Sequence, residues 1–250
     1  EEATIQKVKW QKGPCDSQLG TMAQVKVPNG YVFADADDTR LLMESMQNPV
    51  SGIEMGFIAP TDSDWFLVFE FQETGYIKDD EKDKLDADAM LKSIKAGNEE
   101  GNKERAKKGW EPFNIIGWHQ PPRYNPTTHN LEWAIIGESR NERVINWNTR
   151  LLGRSGVMKV TLVADPKILD ATMPYYETLL NGFDYNSGHR YAEFRQGDKI
   201  AKYGLSALVV GGATAVAAKA GFLKYLWKIL VIAFIAVAGF FKKIFKRNKE

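Results

Sequence analysis

A single cysteine, Cys15, in 250 residues excludes a disulfide scaffold. Histidine is nearly as scarce: His119, His129 and His189 are the whole supply, and no two stand at the helical spacing of an H-E-x-x-H zinc site. Glycine-rich phosphate loops, dinucleotide fingerprints and paired-cysteine zinc spacings do not occur. Residues 23 to 200 hold neither an internal repeat nor a low-complexity linker, which points to one domain. The first residues, EEATIQKVKW, lack the apolar stretch of a signal peptide, so the expectation is a mature chain whose leader has been removed. What is present, 44% hydrophobic and 12% aromatic residues, excludes intrinsic disorder and suffices for a sizeable core.

The formal net charge of +1 averages two unlike parts. Residues 1 to 200 carry 24 basic against 31 acidic side chains, a net of −7, whereas residues 201 to 250 carry 9 against 1, a net of +8. An acidic domain is a poor nucleic-acid binder, so no nucleic-acid partner is expected. The apolar run from Phe222 to Phe241 is twenty residues long, about 30 Å as a helix, which matches a bilayer's hydrocarbon core. Lys224, Tyr225, Trp227 and Lys228 stand where interfacial side chains would sit. Lys242, Lys243, Lys246, Arg247 and Lys249 then form a basic tail, cytoplasmic by the positive-inside rule. The expectation is a single-span membrane protein with its large domain extracytoplasmic and the lipid bilayer as a partner. A second apolar stretch, Tyr203 to Ala218, carries Ala207, Gly211 and Ala215 at four-residue intervals. This is either a seam for homo-oligomerisation or a Gly/Ala-rich segment lying in the membrane interface.

The pattern divides the chain into an irregular segment 1–22, an α+β domain 23–200, a membrane-proximal segment 201–221, a transmembrane helix 222–241 and a tail 242–250. Within the domain, VKVPNGYVFA reads as strand or hairpin, and Asp35 as the N-cap of a helix ending near Asn48-Pro49. DWFLVFEFQETGYI alternates Trp65, Leu67, Phe69 and Phe71 at period two. A polar helix to about Lys108, β-rich runs in FNIIGWHQPPRY, HNLEWAIIGES and VINWNTRLLGRSGVMKVTLVAD, a helix over 166–181 and a last strand around Tyr191 to Phe194 complete the order. Short connections favour a largely antiparallel sheet with helices packed on one face.

Candidates for chemistry are few. His129 and Glu132 form H-x-x-E, yet positions three apart on a strand point to opposite faces. Asp79, Glu81 and Asp83 alternate like the start of a calcium loop, but Lys84 and Met90 occupy positions that need glycine and a carboxylate. GRSG at 153–156 lacks the final glycine of a nucleophile elbow and reads as a strand-to-strand turn with Arg154 exposed at its tip. Cys15 has no adjacent histidine to activate it. No catalytic, metal or cofactor residue is assigned and no cofactor is expected. Trp118, Pro121, Pro122 and Tyr124 form a candidate partner surface; the alternating Leu131, Trp133 and Ile135 suggest instead a buried strand face.

The segments GWHQPPRYNPTTHNLEWAI (117–135), NTRLLGRSGVMKVTLV (148–163) and GDKIAKYGLSALVVGGATAVAAKAG (197–221) resemble, in the same order, the bacterial domain of unknown function 2167 family. That resemblance implies an exported, membrane-anchored domain and supplies no substrate, cofactor or catalytic residue. The order of elements also looks like the Mog1/PsbP type of α+β sandwich. The functional expectation is therefore a membrane-anchored interaction or structural protein that self-associates through its C-terminal region. The alternative is a hydrolase or metal-dependent enzyme using the loop from His119 to Glu132.

Overall fold

Residues 6–210 are described by the structure, a computed structural model. An eight-stranded antiparallel sheet runs in the order β1-β4-β5-β6-β10-β9-β8-β7. Its strands are β1 (Gln11–Lys12), β4 (Tyr31–Ala34), β5 (Glu54–Pro60), β6 (Trp65–Gln72), β7 (Asn114–Asn125), β8 (Asn130–Ser139), β9 (Glu142–Leu152) and β10 (Val157–Ala164). A three-stranded sheet in the order β11-β3-β2 holds β2 (Cys15–Leu19), β3 (Ala23–Val27) and β11 (Phe183–Tyr185). The helices are α1 (Ala36–Ser45), α2 (Ala87–Lys107), α3 (Leu169–Asn181) and the short α4 (Leu205–Val209).

Strand β6 shows why the sheet lies in the middle. Its sequence WFLVFEFQ is apolar on both sides of the pleat, as a strand covered on both faces requires. Trp65, Leu67, Phe69 and Phe71 point into a core with Val160, Leu162, Leu169, Tyr176 and the small-sheet residues Leu19 and Val25. Phe66 and Val68 point the other way, into a core with Leu42, Met90, Ile94, Trp133 and Leu205. Helix α3 and the small sheet thus cover one face, while α1, α2 and α4 cover the other. We refer to these as the α3 face and the α1/α2 face. Helices on both faces correct the expectation of one.

Local chemistry starts the helices, at Asp35 as read and at Asp86 as well. The Asp35 side chain accepts from Asp38 N (3.0 Å) at the head of α1, and Asp86 accepts from Ala89 N (3.0 Å) at the head of α2. Three sequence expectations fail on short elements. Residues 11–19 are not irregular but form β1 and β2, and β3 and β4, read as one possible hairpin, belong to different sheets. Among the described residues the last strand is β11, separated from α3 by Gly182 alone, while Tyr191–Glu193 is a 3-10 turn.

The transmembrane part of the fold class is corrected as well. Among the described residues no helix is long and apolar enough to cross a membrane. The longest, α2, has 21 residues but carries charge along its length, from Lys92 and Lys95 to Glu99, Glu100 and Lys103. The apolar run that begins at Tyr203 starts inside the domain: Leu205, Leu208 and Val209 are buried against the α1/α2-face core, and Tyr203 Oη accepts from Gln72 Nε2 at 3.2 Å. The expected span 222–241 and its basic tail lie outside the described residues. Membrane anchoring, the lipid-bilayer partnership and the single-span, extracytoplasmic localisation are withdrawn with it.

Candidate functional site

The segment that carried most of the functional expectation, residues 117–135, folds as the β7–β8 hairpin at one end of the large sheet. Among the described residues strand β7 has β8 as its one neighbour, and it is bulged at Ile115/Gly117, Trp118/Gln120 and Gln120/Arg123. The bulges re-aim side chains. Trp118 and Tyr124 turn inward and pack on the α1/α2-face core, Trp118 donating its Nε1 hydrogen to Ala87 O (3.1 Å). Pro121 stays exposed and Pro122 is half-buried.

Tyr124 closes a polar chain: its hydroxyl donates to Asp79 Oδ2 (3.2 Å) and lies 3.1 Å from His129 Nδ1. Burial first, and the Asp79 carboxylate second, push the Tyr124 hydroxyl far above the ordinary phenol range. Four rings stack in a column beside it, Phe194 on Tyr76 (4.2 Å), Tyr76 on Tyr191 (4.5 Å) and Tyr191 on His129 (4.5 Å). His129 is therefore a packing residue, tying the hairpin turn to the segment after β11.

Glu132 lies elsewhere, paired with Arg123 (Oε2 to Nη2, 3.1 Å) and in register with Thr149. His129 and Glu132 do not converge, and among the described residues no group of three His, Cys, Asp or Glu side chains is placed to hold a metal ion. That removes the metal site on which the enzyme alternative for this loop was built. Arg154 corrects another expectation: its side chain is 20% exposed and bridges both oxygens of Asp198, each at 2.7 Å. This bidentate pair, reinforced by the Arg195 backbone N–H, holds the Asp198 carboxyl down at about 2. Of the small-residue seam, Ala207 is buried at 8% exposure, while Gly211 and Ala215 lie outside the described residues, as do Lys224, Tyr225, Trp227, Lys228, Lys242, Lys243, Lys246, Arg247 and Lys249.

The other side of the hairpin presents a different surface. On the α3 face, α3 and the small sheet lie over the central strands, with Tyr176 Oη and Thr149 Oγ1 sharing a buried hydrogen bond at 2.6 Å. From there the sheet runs toward its β7 edge through the row Trp147–Ala134–Gln120. His119 is exposed, its ring 6.3 Å from that of Trp147, and Ile116 is 39% exposed and belongs to neither core. In the row itself Trp147 Nε1 and Gln120 Nε2 are buried donors with no partner among the described residues. The ion pairs Arg123–Glu132 and Arg143–Glu138 (both close, 3.1 and 3.2 Å) border the patch. Sequence reading missed this surface because bulges, invisible in the residue pattern, decide which side each β7 residue faces.

A family profile described as "Protein of unknown function (DUF2167)" matches residues 11–241. The chain belongs to this family. The match spans both sheets and every described helix of this DUF2167 protein. No curated protein matches it. Among solved structures, the cyanobacterial PsbP protein CyanoP of Synechocystis sp. PCC 6803 is 13% identical over 71% of this chain and 92% of its own, at a TM-score of 0.42. The Saccharomyces cerevisiae Ran-binding protein Mog1p is 10% identical over 74% of this chain and 100% of its own, at a TM-score of 0.35. The immunity protein TplEi of Pseudomonas aeruginosa is 7% identical over 74% and 82%, at 0.27. None of these likenesses assigns a function to the DUF2167 chain.

Proposed function

We propose that this domain is a recognition module that binds a protein partner across the outer side of the β7–β8 hairpin. The observation that supports this reading is the change in cover along the α3 face. Over β6, β10 and β9 that face is buried under α3 and the small sheet, whereas at β7 it carries exposed His119 beside two buried donors that have no partner among the described residues, and Ile116 and Pro121 are exposed on the same strand. An apolar centre bordered by ion pairs is the anatomy of a protein contact. The free edge of β7 is a less suitable docking element, because three bulges and Pro121-Pro122 interrupt the ladder that an added strand needs. The partner that fits is one offering an apolar side chain to Ile116, with charges of both signs around it to meet Arg123–Glu132 and Arg143–Glu138.

A photoreactive residue placed at position 116 in the native host tests this directly. A discrete adduct with one protein is expected from position 116, and none from Lys92 on the exposed side of α2. Arg123→Glu should abolish the adduct. The same adducts from both positions, or an adduct indifferent to Arg123→Glu, would overturn the assignment.

A further inference from the structure

Independently of the hairpin, the α1/α2 face carries a row of charge across the middle of the sheet. Glu54, Glu70, Lys159 and Arg150 are successive partners on β5, β6, β10 and β9. Glu54 and Glu70 are each 2% exposed and Arg150 is 6% exposed. Two carboxylates facing two cations look balanced, but the hydrogen bonds are distributed unevenly. Both Glu54 oxygens are occupied by the preceding turn: Oε1 accepts from Ser51 N (2.6 Å) and Ser51 Oγ (3.0 Å), and Oε2 accepts from Gly52 N (2.8 Å). Glu70 is the nearer carboxylate to the cations, 3.6 Å from Lys159 Nζ and sharing its other oxygen with Ser51 Oγ (3.3 Å).

The cations are under-supplied in consequence. Arg150 makes two long contacts, Nη1 to Thr149 O (3.4 Å) and Nη2 to Asn148 Oδ1 (3.5 Å), while its Nε is buried with no partner among the described residues. Its guanidinium lies 4.5 Å from the centre of the Trp133 ring. Among the described residues the one ion pair of Lys159 is the long contact to Glu70. Burial pulls the Arg150 guanidinium down to about 10 and the Lys159 ammonium below its ordinary value, the direction expected where positive charge is desolvated faster than it is compensated. A guanidinium with free N–H groups beside an ammonium is the donor set that carboxylates and phosphates select. The Lys159 side chain, 14% exposed, marks where this row reaches solvent.

From this juxtaposition we infer that Arg150 and Lys159, both short of acceptors on the buried charged row, form a binding site for a small oxyanion, a carboxylate or a phosphate group. The anion supplies the acceptors that Glu54, committed to Ser51 and Gly52, does not. Asn148 supplies Arg150 with only the long contact to its Oδ1, an oxygen it shares with Thr161 Oγ1 (3.4 Å).

The test titrates the intact chain with inorganic phosphate and, separately, with acetate, against chloride at matched ionic strength. It follows the thermal midpoint and the side-chain Nε–H resonance of Arg150. A saturable rise in midpoint together with a saturable shift of that one resonance is expected, and the stronger of the two anions identifies the class. Arg150→Lys, which keeps the charge and loses the fork, should weaken binding at least tenfold, and Lys159→Met likewise, while Lys167→Ala on the surface should not. Should a variant fail to fold, the resonance in the wild-type chain still decides, assigned by its proximity to Trp133. Equal midpoints in all three salts, or a midpoint shift with a silent Arg150 resonance, would show that water alone fills this row or that anions act elsewhere, and would overturn the site.

Discussion

Neighbouring rows of the large sheet, one residue apart, are held by different physics. Phe69, Val160 and Thr149 are partners on the α3 face, and Glu70, Lys159 and Arg150 are partners on the α1/α2 face. The first row is two apolar side chains ending in a hydroxyl that Tyr176 satisfies. Its contribution is area removed from water, non-directional and tolerant of reshaping. The second row is charge in the interior, where burial opposes every member and one removed partner leaves another uncompensated. Together the two rows fix the register of β10. A one-residue slip of β10 would bring Lys159 under α3 and Val160 against Glu70, so the two rows together exclude the slipped pairing that either alone would resist less strongly.

The largest expected effects fall on these rows. Phe69→Ala should cost about 3–5 kcal/mol by urea unfolding, through a cavity in a packed face. Glu70→Leu should cost a similar amount, about 3–5 kcal/mol, because it strands Lys159 and Arg150. The comparison breaks or holds on the second substitution. Adding Lys159→Met to Glu70→Leu should recover much of the loss, since the double variant buries fewer unpaired charges, whereas adding Val160→Ala to Phe69→Ala should deepen it. Simple additivity on both faces would mean that the charged row is not a coupled unit.

How much of this was legible in the sequence follows from the same contrast. The period-two alternation of Trp65, Leu67, Phe69 and Phe71 placed β6, and Asp35 placed the start of α1, because apolar burial and a capping carboxylate are written in local pattern. Strands β1, β2 and β11 were not legible: two to five residues long, they owe their conformation to the partners they pair with. The charged row did leave a trace, since Asn146, Asn148 and Arg150 repeat at period two inside an apolar strand, but their partners on β5, β6 and β10 come from distant sequence. Apolarity alone misled at the C-terminal side, where Leu205, Leu208 and Val209 belong to the domain core.

A smaller effect is expected at the Arg154–Asp198 pair, the partly exposed counterpart of the buried row. Asp198 is held at about 2 in the folded chain, below the ordinary carboxylate value of about 3.9. The sign follows: the pair's stabilisation is fully present above about pH 4 and is lost as pH falls toward about 2. Arg154→Met should therefore lower the unfolding midpoint at pH 6, and the gap from wild type should close as the solution is acidified to pH 2. A gap independent of pH would show that Arg154 stabilises by packing and not by charge.

The smallest stability effect, and the sharpest separation of binding from folding, is expected at Ile116. It is 39% exposed and outside both cores, so Ile116→Asp removes less buried area than a core substitution and should change the unfolding free energy by about 1 kcal/mol. The same change at Phe69, fully buried on the covered part of the α3 face, would place an unpaired carboxylate in the core and prevent folding. If the open end of that face is a recognition surface, Ile116→Asp should leave the chain folded with a cooperative unfolding curve and still prevent partner capture by a photoreactive group introduced at His119. A destabilisation of several kcal/mol would instead make Ile116 a member of the core, and would end the distinction between the covered and open parts of the face.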